Sequence, residues 1–143
     1  MKKMNKQISK MKPAGLILLG ATALCFAFMP YGGGGGVWTA PTTANSKKNP
    51  IAANEKSIAA GKTLYTASCT DCHGKKGKGD GSKAAELDKS PQDFNSAEFQ
   101  KQTDGAIFYK ITEGRKPMPA FKKDLTEEQR WLVVNYIRTF GKK

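Results

Sequence analysis

The pattern of apolar and polar positions predicts a helix that begins near residue 54. Asn54 can cap this helix, and four apolar or small residues then recur at i, i+3, i+7 and i+11, which places them on one helix face. They are Ile58, Gly61, Tyr65 and Cys69. A glycine inside a helix costs about 1 kcal/mol relative to alanine, so we expect Gly61 to lie where a second helix approaches closely.

Two further helices are predicted downstream. Thr103 or Asp104 can cap a helix that runs to Gly114, and Thr126 with Gln129 forms a capping box at the start of the last helix. The apolar positions of these two helices are Ile107, Phe108, Ile111, Val133, Tyr136, Ile137 and Phe140. The capping box makes the last helix the most strongly marked element of the chain.

Glycine and proline interrupt the sequence between these helices, and a short turn is predicted from Ala84 to Leu87. No segment alternates apolar and polar residues for long enough to predict a strand. The chain has 143 residues, which suits one domain with an appendage. We therefore expect an all-α domain with long loops over residues 54–141.

The first 30 residues have the form of an export signal. Five lysines precede an uncharged run from Ala14 to Met29, so the pattern fits a cleaved signal peptide as well as an uncleaved membrane anchor. The uncharged span extends further, which makes residues 13–38 the segment expected to contact a membrane. Residues 31–53 are rich in Gly, Thr, Pro and Asn and are interpreted as a linker. The domain is expected on the periplasmic side of the cytoplasmic membrane.

The sequence Cys69-Thr70-Asp71-Cys72-His73 carries the chemistry of the chain. Two thiols one turn apart can each add to a haem vinyl group, and the adjacent imidazole is then delivered to the iron. Three alternatives to haem attachment are weaker. A zinc site needs four ligands, a thioredoxin-like motif needs a βαβ setting, and a structural disulfide leaves His73 unexplained. We predict one covalently bound haem c, with His73 as the proximal iron ligand.

The second axial ligand has few candidates. The chain has a single histidine, and four of its five methionines lie in the export segment. Met118 is the methionine of the domain, in a loop that Pro117 and Pro119 stiffen. Met118 is predicted to be the distal iron ligand, and the alternative is that it only fills a gap in the packing.

With these residues the chain resembles a class I c-type cytochrome of the exported, monohaem, bacterial kind. Gly61 and Tyr65 ahead of the CxxCH motif resemble the first helix of that family, and Tyr136 resembles an aromatic residue of its last helix. Met118 before Pro119 resembles the methionine ligand loop. The resemblance implies helices and long loops wrapped around one covalent haem. It also suggests the Pro91 carbonyl as the group that orients His73.

If His73 and Met118 fill both axial positions of the haem iron, no position is left for a substrate. This favours one-electron transfer without catalysis. We expect an electron carrier between extracytoplasmic or membrane redox partners. Two alternatives stay open. The chain could be a haem subunit docked to a larger dehydrogenase or oxidase, or a catalytic haem protein with a labile Met118.

Charge adds a hint about partners. The formal net charge is +12, and the five leading lysines account for part of it, leaving +7 on the rest. Basic residues flank both the CxxCH motif and Met118, where they could attract an acidic redox protein or simply be solvated. They are Lys75, Lys76, Lys78, Lys83, Lys89, Arg115, Lys116, Lys122 and Lys123. Nucleic acid is not expected, because the aromatic residues fall on helix faces.

Overall fold

A computed structural model describes residues 38–142, and six helices lie in this part of the chain. They are α1 (Thr42–Asn45), α2 (Glu55–Ser68), α3 (Thr70–His73), α4 (Ala97–Gln100), α5 (Asp104–Glu113) and α6 (Glu127–Thr139), with a 3₁₀ turn at Ala84–Glu86. Over the described range the one feature of β type is an isolated bridge between Arg115 and Met118. The all-α fold class is therefore confirmed. The predicted export segment over residues 1–30 and the glycine run that follows it lie outside the described residues.

The helices begin where side chains can satisfy their first backbone N–H groups. Asn54 and Ser57 form a capping box at α2, and the side chain of Asn54 accepts a hydrogen bond of 2.9 Å from the Ser57 N–H. Thr103 caps α5 in the same way. Thr126 and Gln129 form the predicted capping box at α6. The starts of the three long helices are thus those that the sequence indicates.

Helices α2 and α6 cross at Gly61. A Cβ atom at this position would lie 2.0 Å from the carbonyl oxygen of Leu132, so no larger residue fits without moving the helices apart. One turn along α2, the ring of Tyr65 contacts Tyr136 at 5.2 Å and Phe140 at 5.5 Å between centroids. The close approach expected at Gly61 is confirmed, and it forms the centre of the domain.

The core lies between α2, α5 and α6. Phe108 of α5 stacks on Trp131 of α6, with their centroids 3.9 Å apart. One cluster contains most of the buried apolar side chains, namely Tyr65, Phe94, Phe99, Ile107, Phe108, Ile111, Leu125, Trp131, Val133, Val134 and Ile137. Phe94 precedes α4 and Phe99 lies within it, so the long connection between α3 and α5 also contributes to this core.

Residues 38–51 form a segment, here called the strap, that packs on the helices. The sequence places these residues in a linker over 31–53, because they lack apolar periodicity. In the structure the strap contains α1, and the small side chains of Ala40 and Ala44 are buried against Ala106 of α5. The packed unit thus begins before residue 54, and its interface consists of small residues rather than of an apolar stripe.

The strap is also bound to α6. Asn49 Nδ2 donates a hydrogen bond of 2.8 Å to Asn135 Oδ1, and Asn135 Nδ2 donates one of 3.1 Å to the Ile51 carbonyl. Asn49 Nδ2 also donates a hydrogen bond of 3.4 Å to the Trp131 carbonyl, so both acceptors of this amide lie more than 80 residues further along the chain. The strap therefore bridges α5 and α6.

From residue 38 to residue 142, every helix is too short or too polar to cross a bilayer.

Candidate haem-binding site

The CxxCH motif consists of Cys69, at the junction of α2 and α3, and of the single turn that forms α3. Cys69 ends α2 and precedes α3, and its N–H donates a hydrogen bond of 2.8 Å to the Tyr65 carbonyl. The N–H of His73 donates one of 2.8 Å back to the Cys69 carbonyl. Cys72 lies within the same turn. The local fold thus presents two thiols and one imidazole within a few residues, as the spacing predicts.

Both cysteines of the motif are free thiols and partly buried. Burial, with a smaller contribution from the neighbouring Cys72, raises the pKa of the Cys69 thiol to about 12. Cys69 is therefore protonated at neutral pH. The disulfide alternative has no support in this structure.

His73 is held as a neutral imidazole. Burial lowers the pKa of His73 to about 4, and a polar contact with the Gln92 backbone opposes this shift only in part. The contact is weak, because Nδ1 of His73 is buried and has no hydrogen bond of normal geometry with the described residues. The neutral form is the one that binds metals.

The Gln92 backbone makes a polar contact with the His73 ring, and the neighbouring Pro91 carbonyl faces Gly79, where a Cβ atom would lie only 2.3 Å from it. The segment around Pro91 therefore lies beside both the imidazole and the glycine-rich loop. Gly79 has a φ of +76°, so glycine suits this position for its conformation as well as for its size.

Phe94 is a site residue that the sequence analysis missed. Its ring stacks on His73 with 4.4 Å between centroids and 22° between planes. It also contacts Tyr65 and Phe99 and is itself buried. The only sequence signal was its place soon after Pro91. Phe94 connects the imidazole to the aromatic core and shields it from water.

The loop after His73 folds back over the motif. The N–H of Gly79 donates a hydrogen bond of 2.9 Å to the His73 carbonyl, and the N–H of Gly81 donates one of 3.2 Å to the Cys72 carbonyl. Tyr65 Oη donates to the Gly74 carbonyl at 2.8 Å from the buried side. The glycine-rich segment thus fixes the backbone around the motif.

Met118 lies in the loop between α5 and α6. It is partly buried and packs against the same core cluster that Cys69 contacts from α2. Arg115 and Met118 exchange two backbone hydrogen bonds of 3.0 and 2.9 Å. The structure therefore brings the thioether and the first thiol of the motif against one shared core.

The residues present fit a haem c group. The donor set is two free thiols, a neutral imidazole with an unpartnered buried nitrogen, and one thioether on the same core. Zinc fits less well, since no three His, Cys, Asp or Glu side chains among residues 38–142 are grouped closely enough to hold a metal ion.

Comparisons with known proteins agree with this chemistry. Residues 56–137 match the family described as cytochrome c oxidase, cbb3-type, subunit III. Cytochrome c6 of Rippkaea orientalis is 39% identical over 79 residues, which is 55% of this chain and 67% of that protein. The matched region contains the CxxCH motif, Met118 and the crossing helices α2 and α6.

A solved structure is also similar. A chain of the reducing HAO-like protein complex of Kuenenia stuttgartiensis superposes with a TM-score of 0.59 at 31% identity, over 64% of this chain. The match covers 46% of that chain, so this protein spans less than half of its length. The chain belongs to the cytochrome c oxidase, cbb3-type, subunit III family, and it is a class I c-type cytochrome that carries one covalently bound haem c.

Proposed function

We propose that the protein carries single electrons between extracytoplasmic redox partners. In this proposal Cys69 and Cys72 form the thioether bonds, His73 is the proximal iron ligand and Met118 is the distal ligand. One observation carries it: a single turn presents both free thiols beside a buried, neutral imidazole.

The chain's own residues perform three tasks. The α2–α3 turn holds the thiols and the imidazole together, and burial against Phe94 keeps His73 unprotonated. Met118 offers a soft thioether that favours the reduced metal. When bound, haem c supplies a ferric–ferrous couple. His73 and Met118 would both hold the haem iron and leave no position on it for a substrate, so in this proposal the protein acts as an electron carrier without a catalytic residue.

A second candidate function is that of an electron-transfer subunit in a larger complex. The superposition with one chain of the HAO-like complex favours it, as does the subunit description of the matching family. A carrier should elute as a monomer at its own mass, whereas a subunit should remain with a larger oxidoreductase. Size-exclusion chromatography of the protein from its native membrane and soluble fractions distinguishes the two.

Replacement of Met118 tests the ligand set. We expect Met118→Ala and Met118→Leu, made in the full chain with a c-type haem maturation system, to lose the ferric methionine–iron charge-transfer band. The reduction potential should fall by on the order of 0.1 V, because a thioether ligand favours ferrous iron. Absorption spectroscopy and a redox titration measure both effects.

Pro117→Ala is the matched control, since it alters the same loop and keeps the sulfur. It should retain the charge-transfer band. An unchanged band in Met118→Leu would show that Met118 only packs in the loop. Binding of carbon monoxide by the intact ferrous wild type would instead support a catalytic haem with a labile Met118.

A further inference from the structure

The first residue of the strap, Trp38, makes an aromatic contact with two basic side chains. The ring of Trp38 lies 5.5 Å from Lys110 Nζ and 5.0 Å from Arg115 Cζ. Lys110 is buried on α5 and is held by a hydrogen bond from its Nζ to Gln102 Oε1. Trp38 is partly buried between these two cations. The contact therefore joins the strap to the end of α5 and to the loop that follows it.

Arg115 is directly coupled to Met118 through the backbone. The Arg115 N–H donates to the Met118 carbonyl at 3.0 Å, and the Met118 N–H donates to the Arg115 carbonyl at 2.9 Å. Next to this pair, a Cβ atom at Gly114 would lie 2.5 Å from the Pro119 carbonyl group. The loop is closed at its base, so a displacement of Arg115 displaces Met118 with it.

The strap can restrain this loop because it is fixed elsewhere. Ala40 and Ala44 are buried against α5, and Asn49 is hydrogen-bonded to Asn135 of α6. Trp38 is thus the first described residue of a packed segment, with Arg115 within reach of its ring. The attraction between the Arg115 guanidinium and the Trp38 ring then restrains the loop, because the strap that carries Trp38 is itself fixed on the helices.

We propose that Trp38 is a positioning residue for Met118, acting through Arg115, and that the strap thereby keeps the methionine loop closed. This inference rests on the proposed function, in which Met118 is the distal iron ligand. The effect of Trp38 is to lower the fraction of molecules in which the loop is open to an external ligand.

The test measures competition between Met118 and added imidazole. The ferric holoprotein of full length is titrated with imidazole and followed by the loss of the methionine–iron charge-transfer band. An exposed cation–aromatic contact changes such an equilibrium by about two- to fivefold. Trp38→Ala should therefore bind imidazole about two- to fivefold more tightly than wild type, and Trp38→Phe should lie between them.

Arg115→Ala should have the same effect as Trp38→Ala. The double variant should add little to either, because each single change already removes the contact between Trp38 and Arg115. Lys47→Ala is the matched control. It removes a strap cation that lies 5.8 Å from the ring of Phe108, away from Arg115. Its imidazole affinity should equal that of wild type. If Trp38→Ala folds poorly by circular dichroism, Trp38→Phe and Arg115→Ala provide the same comparison.

Wild-type affinity in both Trp38→Ala and Arg115→Ala would overturn the inference. Fully additive effects in the double variant would also overturn it, since the two residues would then act separately. Failure of the proposed function is a different result: Met118→Leu would keep both the charge-transfer band and the wild-type imidazole affinity.

Discussion

Tyr65 links the haem-binding motif to the crossing of the two main helices. Its side chain is 1% exposed, and its ring contacts Tyr136 of α6. Its hydroxyl donates to the carbonyl of Gly74, the residue directly after His73. Burial raises the pKa of Tyr65 well above its ordinary value, so the hydroxyl stays a donor at every physiological pH. One side chain therefore fixes both the motif and the helix pair.

Tyr65→Phe should destabilise the protein by about 1 kcal/mol, because it removes one of the two hydrogen bonds that the buried Gly74 carbonyl accepts, while the bond from the Gly77 N–H and the ring packing are kept. Guanidinium unfolding of the holoprotein measures this. Tyr136→Phe is the control, since it removes a hydroxyl from the ring that Tyr65 contacts, and its effect should be within about 0.5 kcal/mol. Equal losses in the two variants would contradict the role given to the Gly74 hydrogen bond.

At the scale of elements, the sequence predicted those helices whose signals are local. Asn54, Thr103 and Thr126 cap their helices with their own side chains, so the starts of α2, α5 and α6 could be recognised. The strap could not be, because α1 has four residues and no apolar periodicity. The burial of Ala44 depends on Ala106, which lies far along the chain.

The residues of the candidate site also fall into those that local sequence signals indicated and those that they did not. Spacing alone indicated that Cys69, Cys72 and His73 fall in one turn, since all three lie within five residues. Phe94 stacks on His73 only because the loop between the 3₁₀ turn and α4 returns to the core there. The path of that loop depends on tertiary contacts, which is also why the contact of the Gln92 backbone with His73 was missed.

Gly61→Ala should destabilise the protein by about 2 kcal/mol or more. The added methyl group would meet the Leu132 carbonyl, and forcing the two helices apart costs more than the roughly 1 kcal/mol that alanine gains in helix propensity. Thermal unfolding of the holoprotein measures the change. Thr66→Ala, at an exposed position of the same helix, should leave stability nearly unchanged or slightly raised. A more stable Gly61→Ala would mean that the helices are further apart than described.

For the whole molecule, the distribution of charge matters more than its total. Lys75, Lys76 and Lys78 are exposed just after His73, while Lys83 is paired with Asp71 at 2.8 Å. A cluster of like charge beside a redox site raises the local concentration of anionic partners. We therefore expect the first three lysines to set the rate at which such partners approach.

The double variant Lys75→Glu/Lys76→Glu should slow oxidation of the ferrous protein by ferricyanide several-fold at low ionic strength, and added salt should reduce the difference. Stopped-flow absorption measures the rate constant. Lys56→Glu/Lys62→Glu changes the net charge equally on the exposed side of α2 and should slow the reaction less. Equal slowing by both pairs would show that only the net charge matters.

The hydrogen bond between Asn49 and Asn135 has a consequence for how far the chain can be shortened. Asn49 lies shortly before α2, and Asn135 lies near the end of α6. The two residues are therefore neighbours in space, although 86 residues separate them. A shortened chain that began at α2 would lose the hydrogen bonds that Asn49 and Ile51 make with the buried amide of Asn135.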